Sequence, residues 1–557
     1  MTAQTTINGG RLLVDCLIAQ GADRIFTVPG ESFLAVLDAL HDSPQVQTVI
    51  CRQEGGAAFM ACADGTMTGK PGVCFVTRGP GATNASIGVH VAMQDSQPML
   101  LFIGDVDRGM KDREGFQEVD FPAMFGPLAK LVLRIDDPKR IPEYVARAWS
   151  VAVSGRPGPV VIALPEDMLL EEVTGCTPRP GIHRPAQAVC ADAMGVLMDL
   201  LAGAAAPVAI VGGAGWHSKA REEFTRFAER IGLPVAGAFR RQDAIPNSSP
   251  VWAGNLGYGP NPKLVERIKQ ADLVIAIGAR LGEATTDSYT LITPEHLGQT
   301  LVHVHPDPNE LGRVYRPDLA ICADMTEFAE AAALWDDDVV PFDAGPQAHK
   351  EWLDWTKASS PAPYPLDMAA CVTAMREALP GDAIICNGAG NFSGWWHRYW
   401  HYDGFPTQLA PTAGAMGYGV PAAVAAALRH PERTVVALAG DGDFLMNGQE
   451  LATAMQYDAD LLVILVDNNA YGTIRMHQER EFPERVSGTT LHNPDFAALA
   501  IAYGGWATRV ETTDQFTAAL TDAQSRKGLR LLHLIIDVEQ LSAGGATISG
   551  LRAKGKP

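Results

Sequence analysis

The sequence predicts an α/β protein of three doubly wound, parallel-sheet domains. One observation is a recurring unit, in which a short apolar run leads into a glycine-rich turn and then an amphipathic helix. Another is that these runs do not alternate with polar residues, the pattern of strands buried on both faces of a parallel sheet. The last is length: 557 residues correspond to three or four domains at ~150 residues each.

The units follow one another along the chain. Residues 72–77 precede RGPGATN, 208–211 precede GGAG, 273–277 precede GARLG, 435–439 precede GDGDF, and 461–466 precede DNNAYG. Two Pro-rich polar stretches interrupt them and read as linkers. One is 171–189, with TPRPGIHRPAQ; the other is 336–367, with three Asp in a row and then SSPAPYP. They separate a first domain (1–170), a central domain (190–335) and a third domain (365–557).

Hydrophobic residues make up 47% and charged residues 19%, enough for each domain to bury a core. The formal net charge is −20, without a basic block, which argues against nucleic acid and anionic membranes as partners. The apolar runs are strand-sized and fall short of the ~18 residues of a membrane span. The start, MTAQTTINGG, lacks the charged and apolar regions of a secretory signal. The nine Cys are odd in number, scattered, and contain no CxxC, so a disulfide framework or structural zinc is disfavoured and a cytoplasmic location is expected.

The segment 440–472, GDGDFLMNGQELATAMQYDADLLVILVDNNAYG, carries the chemistry. Asp441 follows one apolar strand and Asn468 follows the next, 27 residues on. That interval holds a helix and a strand, so both residues fall at the carboxyl ends of neighbouring parallel strands, where open α/β sheets bind ligands. A carboxylate, an amide oxygen and a nearby backbone carbonyl are hard oxygen donors suited to Mg²⁺, which also takes phosphate oxygens and water. Gly442 permits close approach, and a helix beginning near Asp443 would turn free N–H groups toward an anion. GDG alone reads as an ordinary turn; GDG and NN at this spacing, each after a strand, favour the ligand site.

GDG followed at this distance by a double Asn resembles the signature of thiamine-diphosphate-dependent enzymes. The resemblance covers nearly the whole chain and is nearest to the acetolactate synthase large (catalytic) subunit. It rests on VPGESFLAVLDAL (28–40), RQEGGAAFMA (52–61), TRGPGATNASIG (77–88), GFQEVD (115–120), RPGPVVIALPEDM (156–168), AGAMGYGVPAA (413–423) and GDGDFLMNGQELATA (440–454). It implies that the first domain binds the pyrimidine and the third binds the diphosphate and Mg²⁺. Glu54 matches the glutamate whose carboxyl, bonded to the aminopyrimidine N1′, activates the cofactor. Asp441, Asn468 and the Ala470 carbonyl match the metal ligands, and Met416 matches the residue that bends the cofactor. Gly414, the loop Gly390, Asn391 and Phe392, and Gly442, Asp443, Tyr471 and Gly472 match other cofactor contacts. The family's usual GQH reads GNF in that loop. Pro29, Gly30, Pro80 and Asn84 match positions around the rings, and Gln117 a glutamine near the reacting carbon.

The resemblance further implies a 2-oxo acid substrate and a homodimer or homotetramer with active sites between subunits. In acetolactate synthase the central domain holds FAD; in other relatives it is empty or holds another nucleotide. VAIVGGAG (208–215) is a strand and turn able to admit a pyrophosphate, but not a full GxGxxG. No residue specifies a small regulatory subunit.

This chain departs from acetolactate synthase on the acceptor side. His477 stands where 2-oxobutyrate-preferring enzymes have Trp, and Ala284 where an acceptor-binding Arg lies. Arg78 replaces a usual Ser. It would either hold a substrate carboxylate or pair with a neighbouring acid. The adjacent His pair of pyruvate decarboxylase is missing, and His90 and His477 are the histidines left for the pocket. The pairs His303/His305 and His397/His401 have no obvious third ligand for zinc. Pyruvate to acetolactate is the leading reading. A decarboxylase releasing aldehyde, an aldehyde carboligase or lyase, and a non-catalytic cofactor-binding homologue are the alternatives.

Overall fold

The computed structural model describes residues 6–181, 184–293, 298–335, 341–358 and 362–554. They form two compact units. One comprises Met1–Pro185 with Val424–Arg429 and Asn447–Tyr457; the other comprises Ala186–Ala423, His430–Met446 and Asp458–Pro557.

In the first unit, β1 (Thr6–Asn8) pairs antiparallel with β8 (Glu172–Thr174). Between them in sequence lie β2 (Arg24–Thr27), β3 (Gln47–Ile50), β4 (Gly72–Val76), β5 (Met99–Asp105), β6 (Leu131–Arg134) and β7 (Pro159–Pro165). These make a parallel sheet in the order β3-β2-β4-β5-β7-β6. Every residue of β4, β5 and β7 is buried, as expected of strands with helices on both faces.

The second unit holds two parallel sheets. β9 (Pro207–Val211), β10 (Val235–Gly237), β11 (Trp252–Asn255), β12 (Leu273–Ile277), β13 (Thr300–His305) and β14 (Leu319–Cys322) run in the order β11-β10-β9-β12-β13-β14. This is the dinucleotide-fold order, with its switch between β9 and β12. β15 (Ile384–Asn387), β16 (Gln408–Leu409), β17 (Val435–Gly440), β18 (Leu461–Asp467), β19 (Trp506–Val510) and β20 (Leu529–Ile535) run β16-β15-β17-β18-β20-β19. Counted along the chain, that arrangement repeats the first sheet strand for strand. The first and third domains therefore share one topology. Each sheet has its own apolar core.

Three expectations need correction. Residues 336–367 are not linker throughout: 336–340 and 359–361 lie outside the described residues, but Ala344–Trp355 is a helix. Ala348 and Trp352, one turn apart, are buried on it, a short apolar stripe that the polar flanks obscured. The linker 171–189 likewise begins as β8, and its residues 182–183 are outside the description. After β12, GARLG does not lead into a helix among the described residues. Leu281, Asp287, Ser288 and Tyr289 there have φ between 48° and 63°, left-handed conformations incompatible with continuing an α-helix. No described helix is long and apolar enough to cross a membrane.

Candidate active site

In the third sheet the chain passes from β15 to β16 on one side and to β17 on the other, so the crevice at the carboxyl end of β15 and β17 is a topological switch point. A cavity of about 230 Å³ opens there. It is lined by Gly390, Asn391 and Phe392 after β15, by Gly414 and Met416, by Asp441, Gly442 and Asp443 after β17, and by Asn468, Ala470, Tyr471 and Gly472 after β18. The third-domain residues expected to contact the cofactor thus meet in one cavity. Register explains the grouping: Gly440 pairs with Val466, so the residues that follow emerge side by side.

The polar wall is short of positive charge. Asp441 is buried, and burial raises its carboxyl above the usual carboxylate range. Asn493 Nδ2 bridges it to Asp467, 2.8 Å from each carboxylate. Asp467 is held below the usual carboxylate range despite burial, by His533 Nε2 at 2.9 Å and by its other hydrogen bonds. Asn468 Oδ1 accepts the Ala470 N–H at 3.1 Å, which folds the turn that carries the Ala470 carbonyl. Tyr471 packs against Gly442 so closely that a Cβ there would lie 2.5 Å from its ring. One buried carboxylate, one amide oxygen and one backbone carbonyl beside an apolar wall of Phe392, Trp395, Val466, Ile536 and Leu541 fit a divalent cation and the diphosphate of an aromatic cofactor.

Three details differ from expectation. The helix after β17 begins at Asp441, two residues early. Asp443 is fully buried and accepts N–H groups from Gly417 (2.7 Å) and Ala389 (3.3 Å); burial pushes its carboxyl up to about 7. It ties the loops that frame the cavity. His477 sits on the helix Gly472–Glu481 but is exposed and does not line the cavity.

In the first unit, β2 lies between β3 and β4, so another switch point separates the ends of β2 and β4. Pro29 and Gly30 follow β2, Glu54 opens the helix after β3, and Arg78, Pro80 and Asn84 follow β4. Asn84 Nδ2 donates to Glu54 Oε2 at 2.9 Å. The Gln117 carbonyl accepts the Gly79 N–H at 2.9 Å, and Gln117 lines a cavity of about 540 Å³ with Asp105 and Arg134. His90 is exposed.

The Arg78 guanidinium is taken by acids: Nη1 donates to Glu31 at 2.9 Å and Nη2 to Glu166. It is thus the ion-pair alternative that the fold builds. Arg78→Ala is expected to cost on the order of 1–3 kcal/mol of stability with an unchanged Michaelis constant for a 2-oxo acid. Denaturant melts and steady-state kinetics check it; a raised Michaelis constant at unchanged stability would restore the substrate-binding alternative.

Several lining or supporting residues had no signal in the motifs. Asn493 and Thr473 brace the cavity, the latter bonding both the Asn391 N–H (3.0 Å) and Oδ1 (3.1 Å). Trp395, Ile536, Gln540 and Leu541 come from scattered positions. Glu479 anchors the helix Gly472–Glu481 to the C-terminal helix Ile548–Lys554 by accepting from Arg552 Nε and Nη2, both at 2.9 Å. The Arg552 bonds, with smaller contributions from Glu484 N–H and Arg475, hold its carboxyl down to about 2. A lowered carboxyl stabilises the fold above its ordinary value of 4.5, and that stabilisation is lost as pH falls toward about 2. Hydrogen-exchange protection of Ile548–Lys554 is therefore expected to fall over that range, and Glu479→Gln to lower it already at neutral pH. Unchanged protection in the variant would contradict this anchor.

One member of each histidine pair is held locally: His303 Nε2 meets the Ala279 carbonyl at 2.9 Å and His401 Nε2 meets Arg376 at 2.9 Å. In the central sheet, the GG turn after β9 packs backbone on backbone: a Cβ on Gly213 would lie 1.9 Å from the Gly278 carbonyl oxygen.

Comparison with known proteins agrees with this geometry. Family models match along the chain: the thiamine pyrophosphate enzyme N-terminal TPP-binding domain over residues 7–124, the central domain over 195–332, and the C-terminal TPP-binding domain over 388–534. The chain is 31% identical to the acetolactate synthase large subunit of Corynebacterium glutamicum, over 94% of this chain and 85% of that protein. It is 33% identical to that of Parasynechococcus marenigrum (90% and 83% covered) and 31% to the isozyme 2 large subunit of Escherichia coli (95% and 96%). With three sheets, a GDG–NN cavity at the switch point and these matches from end to end, the chain belongs to the thiamine pyrophosphate enzymes.

Proposed function

We propose that the chain is a thiamine-diphosphate- and Mg²⁺-dependent 2-oxo acid decarboxylase and carboligase that converts two pyruvates to acetolactate. The observation that carries the proposal is the convergence of Asp441, Asn468, Ala470, Gly442, Tyr471 and Met416 on one cavity. When bound, thiamine diphosphate supplies a nucleophilic carbon and an electron sink for loss of carbon dioxide. Asp441, Asn468 and the Ala470 carbonyl would hold Mg²⁺, and Met416 would set the cofactor's bend. Glu54, oriented by Asn84, would hold and exchange a proton at the aminopyrimidine nitrogen. The apolar wall would exclude water, which favours the dispersal of charge as the carboxylate leaves.

A homodimer or homotetramer is part of the same reading. Leu34, Ile87 and Phe116 of the first unit are exposed, apolar surface of the kind a second copy covers. Sedimentation is expected to show at least a dimer. In the central domain the GG turn is used for packing against Gly278; the absorption spectrum of purified protein reads flavin directly.

A second reading has one observation behind it. Arg78 is paired with Glu31 and Glu166, and Ala284 stands at the acceptor-arginine position, so an acceptor without a carboxylate, an aldehyde, suits the chain as well. The test of the core proposal is carbon dioxide release from pyruvate. It is expected to require both thiamine diphosphate and Mg²⁺; no release from any 2-oxo acid with both present would defeat it.

A further inference from the structure

Glu450 closes the short 3₁₀ turn Gly448–Glu450 that leads into the helix Leu451–Gln456, and it is fully buried. Its partners lie on a distant stretch of the same unit. Oε1 accepts the N–H of Gln53, 397 residues earlier in the chain, at 3.0 Å. The Arg52 N–H is shared between the two carboxylate oxygens, at 3.0 and 3.2 Å, and Thr453 Oγ1 donates to Oε2 at 2.6 Å. These are the backbone donors immediately before the helix Glu54–Thr68, whose first turn has free N–H groups in need of acceptors. The Gln53 side chain already caps the Gly56 N–H at 3.0 Å. The carboxylate also sits hard against that turn: a Cβ on Gly56 would lie 2.7 Å from Oε1.

Glu450 is one contact of a clasp. Tyr457 OH accepts the Ile50 N–H at 2.8 Å and donates to the Thr48 carbonyl at 3.0 Å, so it supplies the partners that the free side of edge strand β3 lacks. The Arg52 guanidinium is occupied with the Ile50 carbonyl and with Gln456 rather than with Glu450. A buried carboxylate is costly unless its oxygens are satisfied by well-formed hydrogen bonds. Here Oε1 takes two successive N–H groups while Oε2 takes a share of the Arg52 N–H and the Thr453 hydroxyl; an amide in its place would turn an NH₂ donor toward those two donors. The constraint falls on the two residues directly before Glu54.

We propose that Glu450 is a positioning residue for Glu54: by fixing the backbone of Arg52 and Gln53, its carboxylate sets the direction in which Glu54 presents its carboxyl to the aminopyrimidine. This rests on the reading of Glu54 given above. The test uses the holoenzyme with thiamine diphosphate and Mg²⁺, as wild type, Glu450→Gln, Glu54→Gln and the double variant. Three quantities are measured: exchange of the cofactor C2 proton into D₂O, the cofactor dissociation constant, and backbone hydrogen exchange of the peptide spanning Arg52 and Gln53.

Glu450→Gln is expected to raise backbone exchange in that peptide and to slow C2 exchange about 10- to 100-fold. It should move the dissociation constant by no more than about threefold and add nothing on top of Glu54→Gln, because both act through one group. The glutamine variant keeps one acceptor and nearly the same volume, so the fold survives. C2 exchange within about twofold of wild type, a change in cofactor affinity alone, or an effect that adds to that of Glu54→Gln overturns the proposal and leaves Glu54 in place. If Glu54→Gln itself leaves C2 exchange unchanged, the reading of Glu54 fails first and the proposal falls with it.

Discussion

Replacing Glu54 by Gln is expected to lower turnover by about 10²- to 10⁴-fold, the usual contribution of a positioned acid–base group, while thiamine diphosphate still binds. Gln has the same shape and keeps an amide oxygen to accept from Asn84, now 2.9 Å from the carboxylate. It cannot take up and return a proton. Glu54 stands on the first turn of a helix whose start is fixed from both sides, by Asn84 and by the Gln53 cap, so the variant should not collapse the site. The effect should therefore fall on turnover and on C2 proton exchange rather than on affinity. Unaltered exchange would remove Glu54 from the mechanism.

The other large effect belongs to Asp441. Asp441→Ala is expected to weaken Mg²⁺-dependent retention of thiamine diphosphate by at least ~100-fold, since residues that only orient metal ligands already account for about 10- to 100-fold. Asn468 and the Ala470 carbonyl are neutral donors, so without Asp441 the expected ligand set has no charge of its own to oppose Mg²⁺. Asn493 would keep its bond to Asp467, which keeps the strand ends in place. The thermal midpoint without cofactor should therefore change little, and equilibrium dialysis against Mg²⁺ separates binding from folding. An unchanged cofactor affinity would refute the metal assignment.

Much of this was legible in the sequence, for physical reasons. β4, β9, β12, β17 and β18 announce themselves because strands buried on both faces cannot alternate. Asp441 and Asn468 were visible because each directly follows such a strand, and parallel strands deliver their following residues to one edge. What escaped depends on contacts far apart in the chain. The fate of Arg78 is decided by Glu31 and Glu166, 47 and 88 residues away. Glu450 lay inside a quoted motif, yet its meaning comes from Arg52 and Gln53. His477 lies one helical turn beyond cavity-lining Thr473 and Ile474 on the same face, and the cavity ends before that turn, which leaves it exposed. The helix Ala344–Trp355 was hidden by flanking Asp and Pro that composition alone reads as linker.

The most direct measurement is NMR analysis of the products formed from pyruvate by the purified protein with thiamine diphosphate and Mg²⁺. The account predicts acetolactate, formed only when both additions are present. Acetaldehyde as the sole product, or no turnover of pyruvate, would contradict it and turn attention to the acceptor side, where Arg78, Ala284 and His477 set this chain apart.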